Sequence, residues 1–174
     1  MSVLSGPQIR FEIERGRITI DPTPEFIGPN SVDLHLGGEL KVYGPSMQGI
    51  LNPAHPPPLQ EHLPFTNGTQ PHWVLYPGKL YFGVTRERVA CQGCTFHLDL
   101  RSSAGRLGLI SHAGIGDDGW DGHLTVELSV VEPLLVWEGM RLFQLTFWDV
   151  VGERDPYKGR YQGATGIEPS KISQ

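Results

Sequence analysis

The run Arg101-Ser-Ser-Ala-Gly-Arg-Leu-Gly-Leu109 gathers two arginines, two adjacent hydroxyls and two glycines within nine positions. A guanidinium offers a planar fork to phosphate oxygens, a seryl hydroxyl adds a short donor, and glycine lets the backbone approach closely. By composition the run reads equally as a phosphate cradle or as a polar turn ahead of a short helix. Next comes Ala113-Gly-Ile-Gly-Asp-Asp-Gly-Trp-Asp-Gly122, a Gly-rich hairpin carrying the carboxylates of Asp117, Asp118 and Asp121. Beyond it, His123-Leu-Thr-Val-Glu-Leu128 alternates, so Leu124, Val126 and Leu128 face one way and His123, Thr125 and Glu127 the other. A mid-strand glutamate is ordinarily solvated. It acquires chemistry only where its face lines a pocket.

Cys91 and Cys94 form a single C-x-x-C. Such a pair supplies at most two of the four ligands of a structural zinc site, and even with His97 as a third no fourth lies nearby. A turn between strands that happens to carry two thiols is the simpler reading, and no metal ligands are assigned. The segment after Val150 holds Tyr157-Lys-Gly-Arg-Tyr-Gln-Gly-Ala-Thr-Gly166, which mixes basic, aromatic and flexible residues. It reads either as a frayed terminus or as a lid whose cations and amides fold over phosphates.

The elements that must position these groups are mostly strands. Among 174 residues there are 22 Gly and 15 Pro, so the chain turns often, which favours many short strands over long helices. One early helix is legible: Ser5 caps it, Pro7 fits its first turn, Ile9 and Ile13 share a face and Gly16 stops it. Period-two alternation then marks Arg17 to Ile20, Asp33 to Leu36 and Glu39 to Tyr43. From Gly44 to His72 the chain is Pro-rich and aperiodic, a long loop with room for one short strand, in which His55, His62 and His72 read as solvated. Strands resume at Trp73–Tyr76, Leu80–Thr85, Thr95–Leu100, His123–Val131, Leu134–Trp137 and Leu142–Val150. The chain is long enough for one well-buried domain and short for two. A net charge of -5 argues against holding a nucleic acid polymer but leaves room for a small anion in a local Arg cluster. No run approaches the roughly 18 apolar residues of a membrane span. The start lacks the regions of a signal peptide, so a cytoplasmic protein is expected.

Taken in order, these motifs resemble the dCTP deaminase family, which shares its fold with dUTPases. The resemblance rests on Arg101 to Leu109, Asp117-Asp-Gly-Trp-Asp-Gly-His-Leu-Thr-Val-Glu127, Trp137-Glu-Gly-Met-Arg-Leu-Phe-Gln144 and Arg160-Tyr-Gln-Gly163. Phe26-Ile-Gly-Pro-Asn-Ser-Val-Asp-Leu-His-Leu-Gly37 and Leu75-Tyr-Pro-Gly78 also fit in sequence. It spans nearly the whole chain apart from the Pro-rich loop. The fold it implies is mainly β: a distorted, dUTPase-like β barrel (β-clip) or sandwich over residues 1–150, with one or two short helices. Residues 151–174 would form a flexible tail or lid over the triphosphate. It further implies a homotrimer with sites between subunits.

The activity implied is hydrolytic deamination of dCTP to dUTP and ammonia without a catalytic metal. Zinc deaminases carry H-x-E…P-C-x-x-C, whereas no His-x-Glu occurs here and Ala90 precedes the C-x-x-C. The resemblance gives Glu127 the proton-shuttling role, and Ser102 and Arg106 the positioning of water and stabilisation of the tetrahedral centre. Arg101, Ser103, Gln144, Tyr157, Arg160 and Gln162 match triphosphate contacts, Ala113 and Trp120 complete the substrate-binding set, and Mg²⁺ would ride on the triphosphate. Asp117 matches the aspartate with which dUTPases orient water at the α-phosphate. Ala113-Gly-Ile-Gly-Asp117 is closer to members that continue to dUMP and pyrophosphate than to those that stop at dUTP. Four departures stand out: the span from Arg101 to Asp117 is shorter than the family pattern, Gly116 replaces an apolar residue, Arg160 stands where the family usually has Lys, and Ala164 replaces a glutamine. The alternatives are a dUTPase and a catalytically silent dUTP- or dTTP-binding module. Arg106 and Glu127 together favour the deaminase.

Overall fold

The computed structural model describes residues 2–46, 49–66, 70–112 and 114–172. Helix α1 (Gly6–Glu14) is built as its sequence predicts: the Ser5 hydroxyl accepts from the Gln8 amide at 3.4 Å and Pro7 occupies its first turn. Gly16 leaves it in the left-handed region at φ 72°. The chain continues through β1 (Ile18–Asp21), β2 (Val32–Tyr43), β3 (Leu59–Glu61), β4 (Phe65–Thr66), β5 (Pro71–Leu75) and β6 (Tyr81–Cys91). Then come β7 (Cys94–Leu100), the short helix α2 (Ser102–Gly105), β8 (Leu109–Ser111) and β9 (Gly114–Gly116). Strands β10 (Asp121–Val130), β11 (Leu134–Trp137) and β12 (Arg141–Asp149) complete the order.

Among the described residues, nine strands join in one curled sheet that runs β8-β10-β6-β2-β12-β7-β9, with β1 also on β6 and β3 also on β2. β6 is its organiser. One edge pairs with β10 along most of its length, and the other edge is shared by β2 and β1, so the sheet bends there into a half-barrel. A small second sheet, β11-β5-β4, uses residues of the Pro-rich region. The rings of Trp73, Tyr81, Phe96, Phe143 and Phe147 are fully buried inside the curl. No helix among the described residues is long and apolar enough to cross a membrane.

Two differences from the sequence reading are physical. The pieces Asp33–Leu36 and Glu39–Tyr43 are one strand, because the Gly37-Gly38 interruption is absorbed as a register shift against β6 between Leu36 and Leu40. Residues 109–111, too short to alternate, form β8 on the far end of β10. The C-x-x-C is the connection between β6 and β7, with both thiols free and buried.

Candidate active site

β10 alternates as its sequence demands, with Gly122, Leu124, Val126, Leu128 and Val130 buried and the residues between them half-buried. The half-buried row does line a pocket: His123, Thr125 and Glu127 face a cavity of about 420 Å³. Phe96 and Leu98 of β7 also line it, as does Asp117 directly after β9, which pairs with β7 instead of forming the expected hairpin with β10. Tyr157, Tyr161 and Glu168 of the C-terminal segment contribute the remaining wall. The sequence-predicted residues Glu127, Asp117, Trp120 and Tyr157 therefore meet at one cavity.

Burial pushes the Glu127 carboxyl above its ordinary range, against the opposing pull of its own backbone N–H and of His112. His112 is held close because its backbone N–H donates to the Glu127 carbonyl at 3.2 Å. A carboxyl so perturbed exchanges its proton nearer neutrality, which suits a group that must both take and return one. Asp117 is exposed at the cavity mouth, in a turn closed by the Trp120 N–H donating to its carbonyl at 3.0 Å. The Trp120 ring is buried against Tyr157 with centroids 5.7 Å apart. Its indole N–H is buried without an acceptor among the described residues, so a ligand oxygen there would satisfy it.

The C-terminal segment packs on its own chain. Arg154 grips both oxygens of the buried Asp118 carboxylate at 2.7 Å, and this guanidinium holds the Asp118 carboxyl below its usual range. The Tyr157 N–H donates to the Asp118 carbonyl at 2.6 Å. Gln162 bridges the turn, donating to the Gly119 carbonyl at 2.8 Å and accepting from the Asp121 N–H at 3.2 Å. The Ala164 carbonyl accepts from the His123 N–H at 2.8 Å, and a Cβ on Gly122 would sit 2.9 Å from the Ala164 nitrogen. Only glycine at 122 lets the segment lie this close. Glu168 is fixed by its N–H to the Thr125 hydroxyl at 2.9 Å, and Arg160 is exposed beside Lys171.

A second group lies elsewhere. Arg101 caps α2, with its Nε 3.1 Å from the buried Asp33 carboxylate and its Nη1 donating to the Arg141 carbonyl at 3.3 Å. Ser102, Ser103 and Arg106 project from α2 into solvent, and none of the four lines the cavity. Gln144 sits in β12 opposite Asp33 on one side and Asp99 on the other. Ala113 falls outside the described residues. Sequence reasoning missed His112, Tyr161, Glu168 and Arg154. Only the aromatic-basic character of the tail hinted at the last three, and the partner of His112 is a backbone contact with no sequence signature.

A family model described as dCTP deaminase-like matches residues 3–150. The chain belongs to the dCTP deaminase-like family. A protein of Acidothermus cellulolyticus named "dCTP deaminase, dUMP-forming" is 35% identical over 184 residues, covering 99% of this chain and 96% of its own. A Clostridium beijerinckii protein of the same name is 39% identical over 172 residues, covering 97% and 95%. These alignments run past the end of the family model, so this family member shares its C-terminal segment with such relatives. The fold resembles the crystal structure of 2'-deoxycytidine 5'-triphosphate deaminase from Agrobacterium tumefaciens, with a TM-score of 0.62 at 21% identity. That match covers 83% of this chain but 46% of the Agrobacterium chain, so this chain spans about half its length.

Proposed function

We propose that the protein deaminates dCTP and carries the product on to dUMP. The observation that carries this reading is one cavity in which a half-buried Glu127 with a raised pKa and an exposed Asp117 are differently placed, with Glu168 of the C-terminal segment in the wall. In the first step a water oxygen adds to C4 of the cytosine while Glu127 accepts its proton. Glu127 returns that proton to the ring nitrogen, then takes the proton of the new C4 hydroxyl and delivers it to the amino group, so the C4–N bond breaks and ammonia leaves as the carbonyl forms. In the second, a water held by Asp117 attacks the α-phosphorus of dUTP, the bond to the β-phosphate oxygen breaks, and dUMP and pyrophosphate result.

In this reading Ser102 and Arg106 hold the water and stabilise the negative charge developing at the tetrahedral centre. Arg101, Ser103 and Gln144 bind the triphosphate, while Tyr157, Arg160 and Gln162 add contacts from the tail. Trp120 and Ala113 bound the sugar and base. Since α2 points outward, the Ser102–Arg106 group of one copy completes the Glu127 cavity of another within a cytoplasmic homotrimer. Mg²⁺ arrives bound to the triphosphate. There it neutralises phosphate charge. The test is incubation with dCTP, and separately with dUTP, in the presence of Mg²⁺. Ammonia and dUMP from dCTP are expected; turnover of dUTP alone would replace the reading with a dUTPase, and no turnover of either with a silent binding module.

A further inference from the structure

Strand β9 delivers Asp117 to the cavity yet brings no side chain of its own to the core. Gly114 and Gly116 have none, and Ile115 is 72% exposed. Among the described residues β9 is an edge strand paired to β7, through Phe96↔Gly116, His97↔Ile115 and Leu98↔Gly114. What holds it comes from β7. The Thr95 hydroxyl donates to the Gly116 carbonyl at 2.7 Å, and the fully buried Phe96 ring lies in the space where a Cβ on Gly116 would have to go. That ring is itself wedged edge-on against Phe147, with centroids 5.8 Å apart. The apolar side chain expected at position 116 is thus supplied from the partner strand.

We infer that Phe96 is a positioning residue for Asp117: its ring under Gly116 sets where β9 presents the Asp117 carboxylate. Glu127 is anchored differently, from the middle of β10 with strands on both sides, so its backbone does not rest on this seat even though the ring borders the cavity it faces. Phe96 therefore acts more strongly on the pyrophosphate-releasing step than on deamination and governs whether dUTP is processed or lost. This rests on the dUMP-forming reading above. Misplacing a reacting group by about 1 Å costs on the order of 100-fold in rate, which sets the scale of the effect.

The experiment follows ammonia and dUMP separately, from dCTP and from dUTP with Mg²⁺, in Phe96→Ala, Phe96→Leu and Gly116→Ala. Phe96→Ala should slow dUMP formation about 10- to 100-fold more than it slows ammonia release, which also falls because the ring borders the Glu127 cavity, so that dUTP accumulates. Phe96→Leu should show the same split more mildly, and it carries the test if the alanine variant does not fold. Gly116→Ala should reproduce the split by pushing β9 off the ring. Phe96→Ala combined with Gly116→Leu should restore dUMP formation, because leucine can fill the vacated volume from the other strand. Equal loss of both activities in a folded Phe96 variant, wild-type product partition in Gly116→Ala, or failure of the folded double variant to recover would overturn the inference. A wild-type enzyme that releases ammonia but never dUMP would instead remove the reading beneath it.

Discussion

The β10 cavity and the α2 surface carry similar numbers of candidate groups but are built in opposite ways. Around β10, Glu127 is half-buried, its pKa is raised by that burial, and the C-terminal segment is laced to the same strand through His123 and Thr125. On α2, Ser102, Ser103 and Arg106 face solvent, and only Arg101 is tied down, by Asp33. Desolvation is needed where a proton must move at neutral pH, and the chain builds that environment itself. Donors for phosphate and for a developing negative charge need reach rather than burial in the free protein. Their strength comes once water is excluded around them. One half of the proposed site is preorganised within a single chain, and in the proposed assembly the other is held out for a neighbour.

The largest expected effect strikes the preorganised half. Glu127→Gln should lower ammonia release by at least about 1,000-fold while triphosphate binding survives, since general acid–base catalysis alone is worth about 100- to 10,000-fold. Arg106→Ala should be similarly damaging through loss of charge stabilisation. The decisive comparison is their mixture. If the halves come from different copies, co-refolding the two inactive variants in equal amounts should restore about a quarter of wild-type activity, the statistical share of intact sites in a closed ring. Mixtures that stay inactive despite demonstrated subunit exchange would mean that each chain builds its whole site.

A smaller effect is expected where the tail covers the β10 cavity. Ending the chain before Tyr157 removes Tyr161, Gln162, Ala164 and Glu168 from the cavity wall and the turn. It leaves Arg154 on Asp118. We expect KM for dCTP to rise about tenfold, with the pKa on the acid side of the rate profile moving down, because Glu127 loses part of its cover. A truncated enzyme with unchanged KM and an unchanged acid limb would show that the tail is only packing.

Much of this division could be read from residues before any coordinates. The alternation through β10 placed Glu127 on the face that lines the cavity, whereas the Arg101 to Arg106 run read equally as a phosphate cradle or a polar turn, and it forms the short helix α2. What was illegible depended on contacts between distant segments. Nothing in the tail says that the Ala164 carbonyl will dock on His123, because that contact is permitted by the missing side chain of Gly122. Likewise Gly116 reads as a lost apolar residue until the Phe96 ring is found beneath it. The fusion of two short strands into β2 was hidden by a register shift that only pairing with β6 reveals. Local pattern reports which face a residue takes; the partner across that face is set by the fold.

The smallest effect separates stability from chemistry at Glu127. Its folded-state pKa is raised by burial, so the folded protein binds that proton more tightly than the unfolded chain does. Stability then falls as pH rises from the unfolded carboxylate value of about 4.3 through the higher folded value, because the charged form must be held half-desolvated. Glu127→Gln removes that cost without changing shape. The variant should therefore melt above wild type at pH 8, and the gain should disappear as pH is brought down towards 4, where wild type is protonated as well. No comparable gain is expected for Arg106→Ala, whose guanidinium is already in water. A Glu127→Gln protein that melts below wild type at pH 8 would show the carboxylate to be satisfied rather than strained, and the contrast between a prepared half and a waiting half would have to be redrawn.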